Sequence, residues 1–113
     1  MQTRALRCHG LSQDIEVLTL DDVELAEPQA HEVQIEIKAC AVNFPDILMI
    51  QGGYQFKPEL PFAPGGEFAG VVTQVGSAVD HIQKGDRVVA GDRVGGFSEQ
   101  LNVSGELVRQ IPD

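Results

Sequence analysis

Basic side chains are scarce in this sequence, which has eight Lys and Arg against 17 Asp and Glu and a formal net charge of −9. A protein that binds nucleic acid or an anionic membrane needs a basic patch, because lysine and arginine must neutralise the phosphate groups. The shortage therefore argues against nucleic acid and against a membrane surface as partners. The acidic excess is most simply a surface that keeps the protein in solution.

Cysteines and long apolar runs are also few. Two cysteines, Cys8 and Cys40, do not make a disulfide framework, and we interpret both as buried, reduced thiols. No segment approaches the roughly 20 apolar residues of a membrane span. Residues 1–7 are polar and lack the apolar run of a secretory signal. These observations predict a cytoplasmic protein.

Motifs that bind nucleotides or metals are missing as well. A dinucleotide site needs a strand, then G-x-G-x-x-G, then a helix, and the glycine pairs do not have that spacing. They lie at positions 52–53, 65–66 and 95–96. The three histidines are scattered at positions 9, 31 and 81, and no Cys-x-x-Cys pair accompanies them. The sequence therefore predicts neither a nucleotide site nor a zinc site within these residues.

Short β-strands are what the sequence does contain. A chain of 113 residues that is 42% apolar is expected to form one domain. The clearest strand runs from 33 to 41, where apolar residues alternate with Gln34, Glu36 and Lys38. Further strands are predicted at 16–20, 68–75, 87–90, 97–103 and 107–111. Residues 4–9 are too mixed to assign, and residues 21–31 are predicted to be a connector. This spacing of strands and turns is typical of a mainly β barrel or sandwich.

One short helix is predicted after the strand that ends at residue 41. Asn43 suits the N-cap, Pro45 suits the first turn, and Asp46 suits the positive end of the helix dipole. Gly52 is expected to end the helix after about two turns. Such a helix is too short to be stable without packing. Asn43 therefore stands at a corner that other parts of the fold must hold.

The segment from 54 to 64 is predicted to be a stiff loop, because it contains three prolines. It also carries three aromatic rings: Tyr54, Phe56 and Phe62. A stiff aromatic loop either shapes a pocket or plugs the core beneath it. The sequence leaves both alternatives open.

Four linked motifs carry a resemblance to a known family. They are PGGEFAGVV at 64–72, Val75-Gly76, KGDRV at 84–88 and GFSE at 96–99. Their order and spacing are similar to those of the GroES-like catalytic domain of medium-chain dehydrogenases/reductases. The resemblance covers nearly the whole chain. It implies a mainly β, partly open barrel with short helices over residues 1–113. It also implies a nucleotide-binding Rossmann domain that is absent from this chain.

Two departures indicate the branch of the family. Zinc-dependent alcohol dehydrogenases have a cysteine ligand at the position of Asn43 and a histidine ligand at the position of Gly66. Glu67 retains the family's glutamate, but one carboxylate does not hold zinc. It could hold water or pair with a basic group of the other domain, and the sequence leaves its role open. The pattern resembles the zinc-free quinone oxidoreductase (zeta-crystallin-like) branch, whose G-x-Y is matched by Gly52-Gly53-Tyr54.

The resemblance implies NADPH-dependent hydride transfer, without zinc, to a quinone or an α,β-unsaturated carbonyl. Such an acceptor spreads the incoming charge onto an oxygen that needs only hydrogen-bond donors. We predict Asn43 and Tyr54 as these catalytic donors, with Asn43 also on the nicotinamide side. Three rings are predicted to wall the pocket: Phe44, Phe62 and Phe97. The expected partners are a C-terminal Rossmann domain of the same protein and a second copy in a homodimer.

Three other interpretations stay open at this point. The chain could be a stand-alone GroES-like binding or scaffold module without catalysis. It could also belong to an enoyl-thioester reductase, which would need a path for a long pantetheine arm. A residual zinc enzyme is the weakest alternative, because of Asn43 and Gly66. The fragment by itself is expected to be inactive.

Overall fold

The computed structural model describes residues 1–112, with the backbone alone at position 15. Within them the chain forms seven strands and one α-helix. The strands are β1 (Gln2–Cys8), β2 (Leu18–Glu24), β3 (Glu32–Cys40), β4 (Glu67–Val75), β5 (Arg87–Gly91), β6 (Gln100–Ser104) and β7 (Val108–Gln110). Helix α1 spans Phe44–Gln51, and two single 3₁₀ turns lie at Ile15–Val17 and Gly105–Leu107. The prediction of a mainly β fold with short helices is confirmed.

The strands form two open antiparallel sheets. The larger sheet has the order β6-β3-β4-β5-β7, and the smaller one pairs β1 with β2. The smaller sheet is attached near the start of β6, where Leu6 N–H donates to the Phe97 carbonyl at 2.8 Å. Glu99 N–H donates to the Arg4 carbonyl at 2.9 Å in the same contact. No helix of the described residues is long and apolar enough to cross a membrane.

The alternation predicted for β3 holds only in the first half of the strand, because a register shift follows Ile37 and Ala39 is exposed. Val33 and Ile35 are fully buried, as expected, but Gln34 on the opposite face is also only 2% exposed. Its side chain donates to Asn102 Oδ1 at 3.2 Å and accepts from Thr73 Oγ at 3.2 Å. Because these partners satisfy the amide, a glutamine is tolerated inside the sheet.

Two predictions near the N-terminus require correction. Within the unassigned segment 4–9, residues 4–8 belong to strand β1, and residues 21–24 of the predicted connector at 21–31 belong to β2. The two strands pair from Gln2 opposite Glu24 to Cys8 opposite Leu18. Arg7 and Asp21 form a 2.8 Å ion pair across this register. Cross-strand pairing thus makes strands of segments whose own patterns are weak.

The buried side chains form two clusters. The larger cluster lies on the five-stranded sheet and comprises Val33, Ile35, Phe68, Val72, Ile82, Val88, Ala90, Val103 and Val108. The second lies between β1, helix α1 and the proline-rich loop, and comprises Cys8, Met49, Ile50 and Phe62. The second cluster supplies the packing that a two-turn helix needs. This packing fixes α1 against the smaller sheet and so positions Asn43, which lies at the turn before the helix.

Candidate active site

A cleft of about 940 Å³ opens where four segments meet. These are the start of helix α1, the loop that follows it, the start of β4 and the loop after β5. Its lining is partly apolar, with Phe44, Met49 and Phe56, and partly polar, with the side chains described below. The volume is within the range of roughly 300–1,000 Å³ that is typical of small-molecule sites.

Asp46 fixes the corner at which the cleft begins. Its side chain is buried, with 3% exposed, inside the first turn of α1. One carboxylate oxygen accepts from the Asn43 N–H at 2.8 Å, and the other accepts from the Gly65 N–H at 3.0 Å. This carboxylate therefore joins the helix N-terminus to the turn that precedes β4. Without it, the Gly65 N–H would lack a partner at a buried place and the Asn43 N–H at a half-buried one.

The side chain of Asn43 is held from the opposite side. Its Nδ2 donates to Glu67 Oε1 at 2.8 Å. Glu67 is the first residue of β4, and its carbonyl accepts from the Ala41 N–H at 2.9 Å. The backbone and the side chain of Asn43 are thus fixed by two different carboxylates.

Two glycines, Gly65 and Gly66, precede β4, and Gly66 lines the cleft. Gly65 has φ +102°, a conformation that side chains disfavour, and its carbonyl accepts from Gly96 N–H at 2.8 Å. At Gly66 a Cβ atom would lie 2.8 Å from the Asp92 carbonyl oxygen, which is too close. This close approach places Asp92 and Arg93 at the cleft.

The far wall of the cleft comes from the proline-rich loop and the loop after β5. Tyr54 and Phe56 line the cleft, and the Arg93 guanidinium lies 4.5 Å from the centroid of the Phe56 ring. A cation over an aromatic face is a favourable contact, so Arg93 and Phe56 support each other at the rim. Phe44, at the start of α1, also lines the cleft, with 70% of its surface exposed.

The predicted site residues are brought together only in part. Asn43, Phe44 and Tyr54 all line the cleft. Phe62 instead lies in the second core cluster, and Phe97 lines a smaller depression of about 310 Å³ beside β1 and β2. The aromatic loop at 54–64 therefore does both things that the sequence left open: it shapes a pocket and it fills the core beneath it. Tyr54 and Phe56 line the cleft and also pack against the core cluster that contains Phe62.

Among the cleft residues that were not predicted as site residues are three charged ones to which the sequence assigned no role at the site: Asp46, Asp92 and Arg93. Asp46 was assigned only to the helix dipole, although an acidic residue at that position is also the signature of a capping box. Asp92 and Arg93 directly follow strand β5, which begins within the KGDRV motif at 84–88. Their arrival at the cleft depends on the contact with Gly66, for which the sequence carries no local signal.

The thiols do not contribute a reactive group to the cleft. Both cysteines are free; Cys8 is fully buried, and Cys40 is half-buried at the end of β3. Burial raises the pKa of the Cys40 thiol above its ordinary value, and the carboxylates of Asp46 and Glu67 raise it further. A thiol of this kind stays protonated and is a poor nucleophile. Among residues 1–112, no group of three or more His, Cys, Asp or Glu side chains is placed to hold a metal ion.

Comparison with known proteins decides the family. The family model for the alcohol dehydrogenase GroES-like domain matches residues 29–113. This chain belongs to that family. The GroES-like domain is 43% identical over 99 residues to the quinone oxidoreductase of Salmonella typhimurium, covering 87% of this chain and 30% of that protein. It is 38% identical over 110 residues to quinone oxidoreductase-like protein 2 of Mus musculus, covering 97% of this chain and 31% of that protein.

Solved structures agree with this assignment. The structure of Escherichia coli quinone oxidoreductase complexed with NADPH matches with a TM-score of 0.84 and 35% identity, over 99% of this chain and 33% of that one. The predicted resemblance to the quinone oxidoreductases of the medium-chain dehydrogenase/reductase family is therefore confirmed. The GroES-like domain spans about a third of the length of these relatives.

Proposed function

We propose that this GroES-like domain is the substrate side of an NADPH-dependent oxidoreductase that reduces quinones or α,β-unsaturated carbonyls by hydride transfer. The relatives named quinone oxidoreductases support the reaction class, and their greater length supports a Rossmann domain in the same protein. The observation that carries the proposal is the pair of hydrogen-bond donors, Asn43 and Tyr54, in one cleft. We extend the proposal to a cytoplasmic homodimer.

Exposed apolar residues beside the cleft support the proposal that a second domain, with its nucleotide, covers this surface. Val42 and Phe44, which follow β3 and begin α1, are each 70% exposed. Apolar residues exposed to this degree beside a pocket are typical of a surface that another domain covers. When bound, NADPH would supply the hydride. The Asn43 amide would then lie at the nicotinamide side of the cleft, and Phe44 would exclude water from its rim.

The donors in this chain would stabilise the acceptor as it is reduced. In a quinone or enone, the charge that arrives with the hydride is carried by a conjugated oxygen. The Asn43 N–H and the Tyr54 O–H can each donate to such an oxygen. Donors that are already in place when the charge develops lower the barrier, typically by about 3–4 kcal/mol for one donor in a dry site. A simple ketone offers no such delocalisation and is expected to be a poor substrate.

The proposal includes a reaction without zinc. The position of the family's histidine ligand is Gly66, where even a Cβ would meet the Asp92 carbonyl oxygen. The position of the cysteine ligand is Asn43, whose amide is engaged by Glu67. Neither residue supplies a zinc ligand of the usual kind. Metal analysis of the purified full-length protein tests this part, and stoichiometric zinc would contradict it.

Steady-state oxidation of NADPH and NADH by the full-length protein tests the reaction class. The acceptors should comprise quinones, α,β-unsaturated carbonyls and the matching saturated ketones. We expect turnover with the conjugated acceptors and little with the saturated ones. Equal turnover of a saturated ketone and its enone, or no turnover with any quinone or enone, would contradict the proposal.

A further inference from the structure

Glu67 stands in direct contact with the proposed donor. Its Oε1 accepts from Asn43 Nδ2 at 2.8 Å, although the two residues are 24 positions apart. Its own backbone is fixed on two sides, because its carbonyl accepts from Ala41 N–H and the residue pairs with Gly91 in the β4–β5 ladder. Of the residues that the structure describes, Glu67 is the one that accepts from the Asn43 side-chain amide. The Glu67 carboxylate therefore reaches Asn43, at the cleft, from a strand whose backbone is held in place.

The chemistry of the two groups determines which atom of the Asn43 amide faces Glu67. A primary amide can turn by 180° about its last side-chain bond, which exchanges the donating nitrogen and the accepting oxygen. An ionised carboxylate only accepts hydrogen bonds. Glu67 therefore selects the orientation in which the Asn43 nitrogen, and not its oxygen, faces β4. The second hydrogen of the same NH₂ group is then held in the same plane.

We infer that Glu67 is a positioning residue for Asn43, which sets the plane of the amide so that its second N–H is presented to the reducible oxygen of the substrate. This inference rests on the proposed function of Asn43 as a donor. It gives a role to Glu67, which directly follows Gly66, the position at which zinc-dependent members of the family have a histidine ligand. Asp46 holds the backbone of Asn43, and Glu67 holds its side chain.

A double-mutant cycle in the full-length protein tests the inference. The variants are Glu67→Ala, Asn43→Ala and the double variant, with turnover measured on NADPH and 1,4-benzoquinone. Loss of an orienting partner typically costs on the order of 10- to 100-fold, and we expect Glu67→Ala to lower kcat/KM within that range. Because Glu67 acts through Asn43, adding Glu67→Ala to Asn43→Ala should cause no further loss. Glu67→Gln, which keeps an acceptor oxygen, should lie between wild type and Glu67→Ala.

The matched control is Glu24→Gln on the small sheet. Glu24 accepts from the Gln2 side-chain amide at 2.8 Å, the same kind of contact outside the cleft. This variant should retain wild-type kcat/KM. Thermal unfolding of each variant shows whether the protein is folded under the assay conditions.

A readout besides activity is the side-chain NH₂ signal of Asn43 in protein labelled with ¹⁵N-asparagine, assigned by its loss in Asn43→Ala. We expect this signal to shift and broaden in Glu67→Ala and to remain unchanged in Glu24→Gln. An unchanged signal in Glu67→Ala, or full activity of that variant, overturns the inference. So does an equal loss from Glu67→Ala in the wild-type and Asn43→Ala backgrounds. If Asn43→Ala itself has normal turnover, the donor role fails first, and the positioning role fails with it.

Discussion

Asp46, buried in the first turn of helix α1, accepts a hydrogen bond from the backbone N–H of Gly65 at 3.0 Å. The other oxygen of the same carboxylate accepts from the Asn43 N–H at 2.8 Å. One side chain thus joins the helix to the glycine turn, and the cleft lies between them. The geometry of the site depends on a residue that has no evident part in the reaction.

Replacement of Asp46 should destabilise the protein. Asp46→Ala leaves two backbone N–H groups without their acceptor. The buried Gly65 N–H should cost about 1–3 kcal/mol, the usual cost of an unsatisfied buried group, and the half-buried Asn43 N–H should cost less. Asp46→Asn keeps one acceptor oxygen and should cost less. Asp80→Asn, at a side chain that is fully exposed, is the control and should be close to neutral. Denaturant unfolding of the full-length variants gives the differences; equal stability of Asp46→Ala and Asp80→Asn would refute the structural role.

Asp21 should make stability depend on pH. Its hydrogen bonds with His9 and then Arg7 lower the pKa of the Asp21 carboxyl from 3.8 to about 2. Because the folded pKa lies below the unfolded one, Asp21 stabilises the fold above the unfolded pKa, and this contribution is lost as pH falls towards the folded value.

The corresponding test compares wild type with Asp21→Asn across a pH series. The difference in their free energies of unfolding should shrink as the pH falls through the interval from 3.8 to about 2. A difference that stays constant throughout this acid range would show that the ion pair makes no pH-dependent contribution.

Gly66 should tolerate no side chain. A Cβ at this position would lie 2.8 Å from the Asp92 carbonyl oxygen, whereas a Cβ at Gly10 would have no neighbour within 4 Å. We expect Gly66→Ala to destabilise the protein by roughly 1–3 kcal/mol, the usual cost of overpacking, because backbone must move. Gly10→Ala is the control and should be neutral or slightly stabilising. Urea unfolding of both variants measures the contrast, and equal midpoints would contradict the tight packing at Gly66.

Local patterns in the sequence predicted part of this structure. The alternation of Val33 and Ile35 with polar neighbours predicted β3, and the Asn43, Pro45 and Gly52 pattern predicted the ends of helix α1. Strand β1 was missed because its pattern is weak and its pairing with β2 and with the segment before β6 supplies the order. Long-range pairing overrides local propensity in such segments.

The site was less predictable than the fold. Asn43, Phe44 and Tyr54 lie within twelve residues of one another, so a motif-based argument could group them. The contact between Asn43 and Glu67 joins residues 24 positions apart, and it depends on how β3 and β4 pair. The positions of Phe62 and Phe97 likewise depend on which side of β1 each ring packs. Residue type alone carries no information on these choices.

Quinone reduction by the full-length Asn43→Ala variant is the most direct test of the account, with Tyr54→Phe measured beside it. Removing one donor from such a site typically costs on the order of 10²–10³ in kcat, and we expect a loss approaching that range for Asn43→Ala and a smaller one for Tyr54→Phe. Both variants should remain folded under the assay conditions, although Asn43→Ala also removes the N-cap side chain of α1, which typically costs about 1 kcal/mol. Unchanged turnover of 1,4-benzoquinone with NADPH in both folded variants would contradict the assignment of Asn43 and Tyr54 as the donors.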